Sequence, residues 1–236
     1  MRSVNLLVAA IFIAATLSAQ KKEIKFGILA DYGVLNSTVN GLISDRYIIY
    51  SNGSTLDGFR LGVFGKVTAN KGFWNSELSY FNNRSSINFH NLKWQEDYTK
   101  YGSASIDASG GYFNNMIRLS INRGFTIVKG FSIEGGIIAA YQVKDKHYSG
   151  YPDSYFTDPA TMTKVIYRVA DGFNSFLFKG NVRLAYDFGP LSVYGSLEKS
   201  LTPVADHVEF ENVRYPLEYK IGTFAIGVTY TLFNSK

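Results

Sequence analysis

Three histidines are the residues of this chain best suited to acid–base or metal chemistry, and the chain has no cysteine. His90, His147 and His207 lie far apart, and none has a second histidine at the spacing that metal ligands need. The one local pair is His147 and Ser149, in which the histidine would activate the serine as a nucleophile. The alternative interpretation is a solvated or stacking histidine in a loop. We expect no catalytic residue, metal or cofactor.

The elements that would position such residues follow a period of two after residue 22. Apolar and polar residues alternate in eight segments, each about as long as a tilted strand that crosses a bilayer. The segments are 23–32, 59–67, 73–82, 115–125, 131–143, 176–188, 191–197 and 224–232. With 17 Tyr and 18 Phe, this pattern is typical of a barrel with apolar outer faces and aromatic girdles.

The connections between these segments alternate strictly between short and long. Tight turns are expected around 70–72, 128–130 and 189–190, where Gly, Pro or Asn is present. The long connections are 33–58, 84–112, 144–174 and 202–216. Outer-membrane barrels follow this order, with short periplasmic turns and long external loops, whereas a soluble sandwich has no need of it.

The sequence therefore predicts an all-β fold, a membrane-spanning antiparallel up-and-down β-barrel of about eight strands. Patterned stretches such as 103–107 and 163–169 lie within the long connections, so we expect some strands to extend above the membrane as hairpins, and a count of ten is the alternative. Residues 1–19 are predicted to be a cleaved signal peptide, with Arg2 before a short apolar run and small residues at its end. Residues 20–236 are predicted to form the barrel domain.

If the apolar faces meet lipid, the intervening residues point into the barrel. Six basic and five acidic residues occupy these inward positions, and in an eight-stranded barrel side chains fill the interior. We expect them to pair in a charge network that plugs the barrel, since unpaired buried ions are costly. The network comprises Lys25, Asp31, Arg60, Lys66, Glu77, Arg118, Glu134, Lys179, Arg183, Asp187 and Glu198. An ion or proton path along the same residues is the alternative.

The whole region after the signal peptide resembles the outer-membrane β-barrel domain family, and it is similar in plan to the OmpA-type small transmembrane barrel. The last strand, Gly227-Val228-Thr229-Tyr230-Thr231-Leu232-Phe233, resembles the signal that the barrel assembly machinery reads. This resemblance implies that Gly227, Tyr230, Leu232 and Phe233 form an assembly signal. It also implies export to the outer membrane of a bacterium with two membranes.

We expect a non-enzymatic integral outer-membrane protein that serves membrane integrity, adhesion or binding through long external loops. A narrow porin or specific solute channel is the alternative. A lipid A-modifying enzyme is a further alternative, because His147 and Ser149 resemble the base and nucleophile of outer-membrane lipid A deacylases. The expected partners are membrane lipid, lipopolysaccharide and the assembly machinery, and we expect a monomer. The net charge of +5 is not concentrated in any basic run, so nucleic acid is not expected.

Overall fold

The computed structural model describes residues 23–43, 45–51, 56–69, 72–101, 106–143, 168–210 and 212–235. These residues form strands β1 (Glu23–Ile43), β2 (Tyr47–Tyr50), β3 (Leu56–Ala69), β4 (Gly72–Asn91), β5 (Asp107–Val128), β6 (Phe131–Val143), β7 (Phe176–Phe188), β8 (Leu191–Ser200), β9 (Ala205–Phe210) and β10 (Val213–Ser235). A helix, α1 (Trp94–Tyr101), lies between β4 and β5. Within the described residues, no helix has the length and apolarity required to cross a membrane.

Eight of these strands form a closed antiparallel ring in the order β1, β3, β4, β5, β6, β7, β8 and β10. The ring closes because β10 pairs with β1 along almost the full length of both strands. The two remaining strands are short: β2 pairs with β1 and β4, and β9 pairs with β10. The predicted eight-stranded antiparallel barrel is confirmed. The short strands β2 and β9 lie outside the stretches 103–107 and 163–169, on which the alternative count of ten rested.

The two ends of the barrel differ. One end, called the turn end here, carries the start of β1, the end of β10 and the tight turns. Gly130 and Gly189 have φ angles of 84° and 76° in the turns before β6 and β8, which glycine adopts without a Cβ clash. The predicted turn residues 70 and 71 lie outside the described part of the chain. The opposite end, called the loop end, carries β2, α1 and β9.

The predicted strand boundaries are wrong at the loop end, where β1, β4, β5 and β10 extend well beyond the predicted segments. Strand therefore occupies parts of three connections that were predicted to be external loops, namely 33–58, 84–112 and 202–216. Of the fourth predicted loop, residues 144–167 lie outside the described residues. The barrel thus continues as β-structure past the segments that the apolar alternation marked.

The predicted strands are too short because the polarity of their two faces reverses towards the loop end: the outward face becomes polar and the inward face becomes apolar. On β1, Tyr32 and Val34 face outward, but Asn36 and Thr38 follow in the same outward row. The inward row of β1 changes in the opposite direction, from Asp31 to buried apolar side chains. The apolar outer face that marks a membrane strand therefore ends where the polarity reverses.

Candidate functional site

Glu77 is the centre of the buried charge network inside the barrel. It lies on β4, where alternation directs every second side chain inward. Arg183 on β7 donates to both carboxylate oxygens, and its Nη2 is 2.9 Å from Oε2. Arg60 donates at 3.3 Å, Asn75 at 3.1 Å and Ser120 at 3.2 Å. Five hydrogen bonds from four strands thus fix one carboxylate, which supplies the pairing that a buried charge requires.

Asp31 on β1 continues the network towards the β1–β10 pairing that closes the barrel. Arg60 Nε donates to its Oδ2 at 2.6 Å, and the Tyr194 hydroxyl donates to the same oxygen at 2.7 Å. Arg60 also donates to the Tyr194 oxygen at 3.1 Å. The Arg183 guanidinium lies over the Tyr194 ring at 4.2 Å, a cation–π distance. This tyrosine therefore links the two arginines.

Glu198 on β8 is the centre of a second ionic group, which lies nearer the loop end of the barrel. Arg118 donates to its Oε1 at 2.6 Å, and Lys179 Nζ is 3.9 Å from its Oε2. Both cations lie near the ring of Phe81, at 4.9 and 5.6 Å from its centroid. All four side chains are buried, and this group holds two cations and one anion out of contact with solvent.

The structure brings together eight of the eleven predicted interior charges in this buried layer. Glu134 joins it through Asn75, which donates to its Oε2 at 3.0 Å. The other three, Lys25, Lys66 and Asp187, lie apart from it at the turn end. There Lys66 is 3.8 Å from Asp187, and Lys25 is 3.4 Å from Glu23. Lys25, Lys66 and Asp187 border a cavity of about 30 Å³, which Glu134 and Arg183 of the buried layer also line and which has room for about two water molecules.

Three uncharged residues also belong to the network, namely Asn75, Ser120 and Tyr194. Alternation predicts that they point inward, but the sequence did not identify them as members of the network. Their inward positions follow from the period of two. Their hydrogen bonds depend on which strands face each other across the closed ring, and this cannot be derived from alternation along a single strand.

An apolar core lies on the loop-end side of the charged layer, inside the extended part of the strands. It combines inward side chains of β1, β2, β4, β5, β7, β9 and β10 with residues of the segment before β7. Its members include Leu35, Val39, Ile43, Tyr47, Ile49, Phe81, Ile87, Phe89, Tyr112, Met116, Val169, Phe173, Leu177, Val208, Phe210, Leu217, Tyr219 and Ile221. Such a core excludes water as the core of a soluble protein does.

The outside of the barrel around the charged layer is apolar. Its exposed side chains include Ile28, Leu61, Val63, Leu78, Ile121, Ile137, Val182, Leu184, Leu197, Ile226 and Val228. An aromatic girdle follows at the loop-end edge of this band, formed by Tyr32, Phe59, Tyr80, Tyr141, Phe176, Phe178 and Phe224. A second girdle follows at its turn-end edge, formed by Trp74, Phe125, Tyr186, Phe188, Tyr230 and Phe233.

An exposed apolar band between two aromatic girdles, around a charged interior, is the arrangement that suits a lipid bilayer and not water. The chain is a small transmembrane β-barrel. The closed ring satisfies the backbone hydrogen bonds of the spanning strands within the barrel, as the hydrocarbon layer requires. The polar outer face of the extended strands places their loop-end part beyond the bilayer.

The four residues of the predicted assembly signal lie on the closing strand of the barrel, β10. Gly227 faces inward, and a Cβ there would lie 2.4 Å from Cβ of Asp31 and 2.5 Å from the Tyr194 ring. Tyr230, Leu232 and Phe233 are exposed to the outside. Both Leu232 and Phe233 face outward because a register shift interrupts the pairing of β10 with β1 at this point.

The histidines that the structure describes lie on the loop-end surface. His90 Nδ1 is 2.7 Å from Asp107 Oδ1, and His207 pairs with Asp206. The hydrogen bond from His207 holds the pKa of the Asp206 carboxyl below its usual value. Among the described residues, no three His, Asp or Glu side chains are grouped as a metal site requires. His147 and Ser149 lie outside the described part of the chain.

Comparisons with known proteins give likenesses in structure alone. No protein-family profile and no curated protein matches the chain. The structure of the outer membrane protein OprG from Pseudomonas aeruginosa is 10% identical, with a TM-score of 0.45, and the match covers 89% of this chain and 95% of that chain. Ail, the attachment invasion locus protein of Yersinia pestis, solved with the heparin analogue sucrose octasulfate, is 13% identical with a TM-score of 0.42, and the match covers 90% of this chain and 100% of that chain. Neisserial surface protein A is 10% identical with a TM-score of 0.39, and the match covers 88% of this chain and 97% of that chain. Each is a likeness of fold.

Proposed function

We propose that this protein is a non-conducting, non-enzymatic protein of the bacterial outer membrane. Its rigid loop-end extension serves adhesion, binding or membrane integrity at the cell surface. The observation that carries the proposal is the filling of the barrel at two successive levels, first by ion pairs and then by apolar side chains. The turn end would face the periplasm and the loop end the exterior, as in barrels with short periplasmic turns.

The charged layer opposes conduction because its ions are already paired. A passing ion would have to displace Arg183 or Arg60 from Glu77, or Arg118 from Glu198. Each displacement would leave a buried charge without its partner, which costs several kcal/mol. The layer thus supports a structural role for the charges in preference to a path for ions or protons.

The apolar core opposes conduction for a different reason. Side chains such as Phe89, Tyr112 and Phe210 are almost fully buried and make contact across the interior. An ion entering this region would lose its hydration, and the buried polar side chains there, such as Asn83, Ser85 and Asn114, are already hydrogen-bonded to one another. The two layers therefore act independently, and loss of one leaves the other in place.

The loop-end extension offers a surface suited to contacts outside the membrane. Its edge strands carry exposed charged groups, among them the Asp206, His207 and Arg214 cluster of β9 and β10. The packed core beneath these strands pre-organises that surface, so a partner would bind without the entropic cost of ordering a loop.

Conductance in planar bilayers tests the proposal. The folded wild-type barrel should give no steady current steps, while an open porin in the same bilayers shows that steps are detectable. The double variant Glu77→Ser, Arg183→Ser should also remain silent, because the apolar core still closes the barrel. Steady unitary steps from the wild type would contradict the proposal and favour a narrow channel.

Lipid A of unchanged mass in expressing cells is the expected result for a protein without acyl-removing activity.

A further inference from the structure

One charged side chain, Arg123, lies in the outward apolar row of the barrel at its turn end. On β5 this row contains Ile117, Leu119 and Ile121, and Arg123 follows as the next outward residue. The side chain is exposed, and Trp74 and Phe125 of the turn-end girdle lie beside it. Arg123 is therefore at the depth where the hydrocarbon layer ends and lipid headgroups begin.

The guanidinium of Arg123 is held by aromatic rings. Its central carbon is 5.2 Å from the centroid of the Trp74 ring and 5.4 Å from that of Phe125. Both distances are in the range of cation–π contacts, which favour a planar guanidinium against a ring face. The contacts come from β4 and from β5 itself, so the strand register fixes the position of the charge.

A glycine on the neighbouring strand provides the remaining space. A Cβ on Gly72 would lie 2.7 Å from Nη2 of Arg123, closer than side-chain atoms approach each other. The guanidinium thus lies close against the backbone of β4 at its first residue. A larger residue at this position would push the flexible end of Arg123 away without disturbing the sheet.

The donors of this guanidinium have no protein partner among the described residues. No carboxylate of the described chain lies within ion-pair distance of Arg123, and none of the described hydrogen bonds uses its N–H groups. A planar cation with unpaired N–H groups at the edge of a bilayer is complementary to a phosphate, which accepts two parallel hydrogen bonds from it.

The geometry points to a binding site for the phosphate of a membrane phospholipid, formed by Arg123, Trp74, Phe125 and Gly72. The lipid belongs to the leaflet at the turn end, and its acyl chains follow the outward row of β5. Trp74 and Phe125 keep the guanidinium at headgroup depth. The inference rests on the transmembrane placement of the barrel and is independent of whether the barrel conducts.

Lipid retention measured by native mass spectrometry tests the site in the purified, folded barrel. The probes are phosphatidylglycerol, diacylglycerol with the same acyl chains, and glycerol phosphate without them. The wild type should retain phosphatidylglycerol in preference to both others. Arg123→Gln should lower its affinity by about tenfold, since a hydrogen bond to a charged group is lost. Arg123→Lys should give an intermediate loss, because an ammonium keeps the charge but not the bidentate geometry.

Two further variants separate the site from general effects of charge and folding. Gly72→Ala should weaken retention while Arg123 is still present, because the added Cβ displaces the guanidinium. Lys129→Gln removes an exposed cation from the next turn and should leave retention unchanged. Each variant is first shown to be folded by its heat-modifiable migration on a gel.

Three results would overturn the inference. Folded Arg123→Gln that retains as much phosphatidylglycerol as the wild type would show that the guanidinium does not bind lipid. Equal retention of diacylglycerol would show that the acyl chains alone account for binding. Equal binding of glycerol phosphate would assign the site to free phosphate esters. A failure of insertion into bilayers, in contrast, would contradict the transmembrane placement itself.

Discussion

At the scale of single residues, Glu77 determines the arrangement of the barrel interior. Its carboxylate accepts hydrogen bonds from Arg183, Arg60, Asn75 and Ser120, which come from different strands. Alternation along the sequence is enough to place Glu77 and both arginines inside. It does not reveal that Glu77 pairs with Arg183, 106 residues away, because that pairing depends on how the closed ring is sheared.

Glu77→Gln is expected to destabilise the folded barrel by roughly 3–5 kcal/mol, since it leaves Arg183 buried without its main counterion. An amide of the same shape also directs N–H donors at arginine N–H donors. Urea unfolding in lipid vesicles, followed by tryptophan fluorescence, measures the change. Glu218→Gln, on the exposed outer face of β10, is the matched control and should change little. Equal unfolding midpoints for Glu77→Gln and wild type would show that the network does not stabilise the barrel.

Asp206 provides a residue-scale prediction about pH. The hydrogen bond from His207 lowers the pKa of its carboxyl, and the charges of His207 and Arg214 act in the same direction. Because the folded-state pKa is depressed, the stabilising contribution is present above the ordinary value of 3.8 and is lost as the pH falls through the folded-state pKa. Carboxyl chemical shifts should titrate with a midpoint below 3.8, and His207→Ala should raise it. An unchanged midpoint in that variant would exclude the hydrogen bond as the cause.

At the scale of strands, a period of two predicts where each spanning strand lies and which face meets lipid. The predicted ranges of β6 and β7 agree with the observed ones, because these strands end near the girdle. The range of β4 was too short, because beyond Tyr80 its outward row becomes polar with Asn82 and Arg84. Strand length was thus predictable only within the hydrocarbon layer, where one face has to be apolar.

This reversal along β4 predicts that outward substitutions depend on depth. Leu78→Arg places a charge in the middle of the apolar band and should cost roughly 2–4 kcal/mol in lipid. Ser86→Arg makes a comparable change in the outward row of the extension and should cost little, as Arg84 is already exposed there. Urea unfolding in vesicles compares the two variants. Equal costs would contradict the assignment of Leu78 to the membrane and Ser86 to water.

At the scale of the whole molecule, one part of the barrel has the polarity that suits lipid and the other part has the polarity that suits water. Around the charged layer it is polar inside and apolar outside, and around the apolar core the order is reversed. A single β10 takes part in both regions, with Tyr219 buried in the core and Ile226 exposed to lipid. The sequence predicted the membrane region from one consistent polarity. The core beyond it was not predicted, because it forms only when distant strands meet in the closed ring.

Closure of that ring predicts the effect of truncating the chain. Gly227–Lys236 contains the turn-end half of the β10 seam, in which β10 pairs with both β1 and β8. Deleting it should leave two unpaired strand edges, which the hydrocarbon layer does not tolerate, and the protein should collect as periplasmic aggregates. Deleting only Asn234–Lys236 keeps the pairs of Tyr230 and should still give heat-modifiable barrel in the membrane fraction. Normal assembly of the longer deletion would refute the role of the β10 seam in closing the barrel.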